Sequence, residues 1–133
     1  MGRSLARCTA MQLIYEAMMG GEGGNETLCG LLNVNPNDDD TAYIESMLSG
    51  VRDNQTEIDG IISKFSRNWT IDRIAKVDLA ILRLALYEII YCPAVPDNVS
   101  VSEACNLADI YSDAESKAYI NGLLGAFLRE RGE

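Results

Sequence analysis

Asp78-Leu-Ala-Ile-Leu-Arg-Leu-Ala-Leu-Tyr-Glu-Ile-Ile-Tyr91 is apolar on nearly every side when wound as a helix. Leu79, Ile81, Leu82, Leu84, Ala85, Leu86, Ile89 and Ile90 leave no broad polar stripe, and a helix of that kind has to be surrounded by others. The stretch therefore predicts a central helix in an all-helical bundle, ended by Pro93 and Pro96. Its one cation, Arg83, is expected to pair internally with a carboxylate. Asp78 suits either a helix cap or an acid at an interface.

Upstream, Thr70 is placed to cap a short helical turn through Arg73–Lys76. Ser66–Thr70 reads as a turn packed by the only tryptophan, Trp69. Before it, the stripe Ile44, Met47, Leu48, Val51 resumes in phase at Ile58, Ile61, Ile62, Phe65, which predicts one long helix from Thr41 to about Ser66. Gly50 and Gly60 in that helix are positions of close helix contact or weak points. The acids at 38–40 precede it, where carboxylates cap free amides and complement the helix dipole. A short helix near Glu26–Leu32 and the loop Asn33–Asp40 come earlier. The first helix, Leu5 to Met18, carries the stripe Leu5, Cys8, Met11, Ile14, Tyr15, Met18 and stops at Gly20–Gly24.

Downstream, Ser100 with Glu103 and Ser112 with Glu115 have capping-box spacing. They predict helices from Ser100 to about Tyr111 and from Ser112 to about Arg129. Asn121 and Gly122 inside the last helix read as structural. No stretch alternates convincingly as a strand. The expected fold is all-α, a compact bundle of six or seven helices forming a single domain over residues 1–133.

Composition narrows the function. An apolar fraction of 47% belongs to a globular chain. No apolar run approaches the roughly 20 residues of a membrane span, so a soluble, cytoplasmic protein is expected. There is no histidine, which removes the usual general base near neutral pH. Cys8, Cys29, Cys92 and Cys105 are widely spaced and read as unpaired core thiols, although spacing alone leaves a four-thiolate site open. The acids at 38–40 lack the ligand spacing of a calcium loop. The net charge of −9 argues against indiscriminate binding to nucleic acid or anionic membranes. The charge is uneven: nine acids stand against Arg52 over residues 19–60, whereas five cations stand against three acids over 61–92. A small basic face on an acidic body is compatible with that pattern.

Three segments then carry a resemblance. They are Arg3-x-x-x-Arg7 with Ala10-Met-Gln-Leu-Ile-Tyr15; Trp69-Thr-Ile-Asp-Arg73-Ile74 with Asp78-Leu-Ala-Ile-Leu82-Arg83-Leu-Ala-Leu-Tyr87-Glu88; and Val101-Ser-Glu103-Ala104 with Leu107-Ala108 and Ser116-Lys-Ala-Tyr119-Ile-Asn121-Gly122. In this order, over nearly the whole chain except residues 20–40, they resemble the NusB family of transcription antitermination factors. The resemblance implies two small helical bundles packed together. It also implies a non-enzymatic role: binding the boxA element of ribosomal RNA leaders with the ribosomal protein NusE, and joining an antitermination complex on RNA polymerase. No cofactor, metal or catalytic residue is assigned.

Single-stranded RNA is held by cations along its backbone and by planar groups that stack on its bases. Arg3 and Arg7 stand one helical turn apart. With the resemblance they give an RNA face that meets Lys117 and Tyr119, to which Lys76 is added. Glu115 occupies a family acidic position beside that face and opposes RNA by its charge. For the protein partner the resemblance implies Tyr15 and Asp78, with Tyr87 and Glu88 nearby, an acidic patch suited to a basic ribosomal protein.

The bland readings stand beside these: solvated surface arginines, and core tyrosines whose hydroxyls reach outward. Many family members open with a dense arginine cluster, whereas two arginines lie in the first eighteen residues here. An adaptor of the same fold using only its protein surface is therefore an alternative. The fold also resembles the N-terminal region of certain ribosomal RNA cytosine methyltransferases. Without a Gly-rich nucleotide-binding unit, this chain would be a detached module of one.

Overall fold

A computed structural model describes residues 2–20, 39–66 and 70–132. The expected helix at Glu26–Leu32, Cys29, Trp69 and most of the Asn33–Asp40 loop lie outside them. Among the described residues there are six α-helices and one 3-10 turn, and no strand. They are α1 (Arg3–Met18), α2 (Asp39–Asp53), α3 (Gln55–Phe65), α4 (Lys76–Tyr91), α5 (Asp97–Tyr111) and α6 (Ala114–Gly132), with the 3-10 turn at Ile71–Arg73.

Every residue of α4 from Asp78 to Leu86 is buried, and α4 packs on every other α-helix described. That is the central helix its composition demands. Arg7 meets Glu88 at one end of α1, and Met18 lines a cavity with Lys76 at the other, so α1 and α4 are antiparallel. Arg3 sits by Asp40 and Arg7 by Tyr43, so α1 and α2 run in the same direction. On another flank α5 and α6 form an antiparallel hairpin, and α3 leads across from α2 to α6. The core joins Leu13, Ile44, Met47, Ile58, Ile62, Leu79, Leu82, Leu86 and Ile120, each almost wholly buried.

Several local expectations are corrected. The long helix from Thr41 is broken at Asn54, whose φ of −118° and ψ of 17° leave the helical region. The Asn54 side-chain amide donates to the Gly50 carbonyl at 2.8 Å, the local competition with the helix ladder that asparagine is prone to. The apolar phase survives because Val51 and Ile58 both stay in the core. Helix α5 begins three residues before the supposed Ser100 box, directly after Pro96, and Ser100 is buried within it. The start of α6 is capped by Asp113 instead of Ser112: the Asp113 carboxylate accepts the Ser116 N–H at 2.8 Å. Thr70 makes no side-chain cap bond. Helix α1 ends at Met19 and Gly20, and Gly20 has φ +92°, a conformation that favours glycine.

Candidate nucleic-acid and partner interface

The N-terminal arginines take two different environments. Arg7 is 5% exposed. Its Nε donates to both Glu88 oxygens at 3.1 Å, and its Nη1 lies 3.7 Å from Glu103. Glu88, 2% exposed, also accepts from Tyr43 Oη at 2.6 Å and Ser100 Oγ at 2.7 Å. A buried carboxylate is tolerated only when paired and hydrogen-bonded, and α1, α2 and α5 each supply a donor here. Burial, and then the bond to Glu88, push the Tyr43 phenol well above its ordinary range, so it remains a donor. Arg7 and Glu88 therefore hold the bundle together from inside; neither stands on a surface for direct contact with RNA or a partner.

Arg3 stays at the surface, with its side chain 45% exposed. Its Nε donates to Asp40 at 3.1 Å, and its guanidinium lies 4.3 Å from the Tyr43 ring centroid. Lys117 pairs with Asp109 of α5 at 3.0 Å. Tyr119, two residues on, points to a different side of α6 and shares a 2.7 Å hydrogen bond with Ser66 after α3. Its phenol is raised chiefly by burial. Thus α5 stands between the arginines and Lys117, and no contact joins Arg3, Lys117 and Tyr119 among the described residues. Each of the three is instead tied to a different neighbour: Arg3 to Asp40, Lys117 to Asp109 and Tyr119 to Ser66.

Tyr119 belongs to a cavity of about 290 Å³, lined also by Arg73, Ile74, Asp78, Asp113, Glu115 and Ser116. A second cavity of about 520 Å³ lies between α1, α2, the 3-10 turn and α4, and Lys76 lines it with Arg52, Asp72 and Arg83. The segment Ile71–Lys76 contributes to both and sends each one cation, Arg73 or Lys76, that has no ion-pair partner among the described residues. Arg83 makes a two-pronged ion pair with Asp59, at 2.9 and 2.8 Å, the internal pairing its apolar helix predicts.

The residues expected at a protein partner also divide. Asp78 is 5% exposed and accepts from Ser112 at 3.0 Å and Ser116 at 2.7 Å, pinning the α5–α6 connection. It is neither an exposed acid nor a simple helix cap. Tyr15 is half-buried on the α1 face that holds Cys8 and Gln12, both bonded to Tyr111. Tyr87 is half-buried against Gly50 and stacks on Tyr91 with centroids 5.0 Å apart. Tyr91, 41% exposed, donates to Glu57. Tyr91 was read only as the end of the central helix, although it follows Tyr87 by one helical turn, the spacing at which two side chains meet. Cys8, Cys92 and Cys105 are free thiols. No helix among the described residues is long and apolar enough to cross a membrane.

Comparison with known proteins matches this geometry to one family. The transcription antitermination protein NusB of Acetivibrio thermocellus is 44% identical over 97% of this chain and 90% of its own. That of Clostridium botulinum is 39% identical over 98% of this chain and all of its own. A crystal structure of antitermination factors NusB and NusE in complex with dsRNA superposes with a TM-score of 0.85 at 26% identity, over 96% of each chain. The NusB family model matches residues 4–129, and the chain belongs to the NusB family.

Proposed function

We propose that this protein binds boxA-type single-stranded RNA of ribosomal RNA leaders jointly with ribosomal protein NusE. The pair then joins an antitermination complex on cytoplasmic RNA polymerase, and no reaction is catalysed. The observation that carries this reading is the likeness, along almost the whole chain, to a NusB solved with NusE and RNA. In this reading Arg3, Lys76 and Lys117 meet RNA phosphates and Tyr119 stacks on a base. Arg7 acts through the packing of α1. Tyr15 and Tyr87 face the ribosomal protein, with Asp78 and Glu88 holding the helices that present them.

The ion pairs of Arg3 with Asp40 and of Lys117 with Asp109 support a dependent mode of binding. A cation already beside a carboxylate attracts a phosphate less strongly than a free one. RNA affinity should therefore be low for the protein alone and rise when NusE is bound. The same pairing favours a second reading, a purely protein-binding adaptor. Titration of a fluorescent boxA RNA and a scrambled control, with and without NusE, separates them. Preferential boxA binding in the presence of NusE is the expected result. Capture of NusE without RNA selectivity would establish the adaptor, and tight binding without NusE at physiological salt would contradict the dependent mode.

A further inference from the structure

We infer that Arg73 is an RNA-phosphate-binding residue, and that the cavity it shares with Tyr119 seats one nucleotide; this rests on the RNA-binding reading above. Among the described residues, Arg73, Lys76 and Arg129 are the cations that make neither an ion pair nor a hydrogen bond. Arg7, Arg83 and Arg131 are tied to internal partners, and Arg3, Arg52, Lys64 and Lys117 to carboxylates. Of the three, Arg73 alone lines the cavity that contains Tyr119.

The cavity carries charges of both signs. Arg73 shares it with three carboxylates, yet none lies within ion-pair reach of the guanidinium. Two of the three are already used. Asp78 accepts from two serines, and Asp113 caps α6. That leaves Arg73 and Glu115, both exposed and of opposite sign, as the cavity's charges without a protein partner among the described residues. Tyr119 lines the same cavity and is tethered through its hydroxyl to Ser66.

A nucleotide has a group for each of the three: a phosphate anion for Arg73, a flat base for Tyr119, and base-edge N–H donors for Glu115. The volume, about 290 Å³, sits at the lower limit of ligand pockets and suits one base, not a duplex. Arg73 is also firmly placed. It closes the 3-10 turn through its N–H to the Thr70 carbonyl, and the next residue, Ile74, is 5% exposed and anchored in the core. Without Arg73, Tyr119 would face RNA from a wall whose only charged side chains are acidic. The cation is thus needed for charge balance as well as for contact.

The test uses the full chain with NusE and a boxA RNA, comparing Arg73→Ala, Arg73→Lys and Arg129→Ala. Each lost phosphate contact on a single strand lowers the log–log salt slope by about 0.7. Arg73→Ala should weaken binding roughly five- to tenfold near 0.1 M salt and flatten the slope by about that one contact. Arg73→Lys should recover most of the slope, and Arg129→Ala should change neither quantity. Unchanged melting temperatures would show that the variants fold. Equal affinity and slope for Arg73→Ala and wild type would overturn the inference while leaving the RNA-binding reading intact. Equal losses in Arg73→Ala and Arg129→Ala would overturn it too, as a general charge effect. If wild type with NusE shows no boxA preference, the underlying reading itself has failed.

Discussion

At the scale of single residues, the decisive group is Glu88, because a carboxylate 2% exposed is stable only through its donors. Tyr43 supplies one of them, at 2.6 Å. Its replacement by Phe leaves Arg7 and Ser100 to satisfy the charge and should cost about 1.5–3 kcal/mol, the range for hydrogen bonds to charged groups. The cost is itself pH-dependent. The Tyr43 phenol is raised in the folded state, so the native protein keeps a proton that the unfolded chain releases above about pH 10. This contribution to stability is complete below that pH and declines as pH rises further. Urea unfolding at pH 8 and pH 10.5 should show the gap between wild type and Tyr43→Phe narrowing; a constant gap would refute the assignment. The internal pairing of Arg83 was legible in the sequence, because a cation on an apolar helix needs a partner. Glu88 on the same helix was instead read as part of an acidic patch for the protein partner. Its partner Arg7 lies 81 positions away on a helix whose buried side only tertiary packing defines.

At the scale of elements, the two glycines of the region read as one long helix have opposite roles. A Cβ at Gly50 would lie 2.0 Å from Tyr87 Cζ, and that ring is held by its stack on Tyr91. A Cβ at Gly60 meets nothing within 4 Å. Gly50→Ala should therefore destabilise by about 1–3 kcal/mol through overpacking, which exceeds the gain in helix propensity. Gly60→Ala should stabilise by roughly 0.5–1 kcal/mol. Thermal unfolding of the two variants should move in opposite directions, and a stabilised Gly50→Ala would mean that Tyr87 is not seated there. Helix order and the central place of α4 were readable because burial leaves a periodic apolar pattern. Helix ends were harder. Ser100 and Asp113 show why: a polar residue near a boundary serves equally well as a cap or as a buried hydrogen-bond donor, and spacing does not distinguish the two.

At the scale of the whole molecule, electrostatics decide how RNA can be held. The chain carries a net −9, and most of its cations are spent on its own carboxylates or carbonyls. The acidic run at the start of α2 and the cations around the 3-10 turn were visible in the sequence, but the pairing that silences Arg7 and the place of α5 between Arg3 and Lys117 were not. Linear charge counts cannot see which cations α5 separates. Arg3, Arg73, Lys76 and Lys117 remain as surface cations for the RNA reading, and each contributes about −0.7 to the slope of log affinity against log salt on a single strand. Their sum limits the slope for the protein alone to about −3, and the two with carboxylate partners should lower it further. Binding measured without NusE between 20 and 200 mM salt, roughly the span over which such slopes are read, should therefore be weak and shallow. A slope near −5 would require more phosphate contacts than these cations provide and would place the RNA on a different surface.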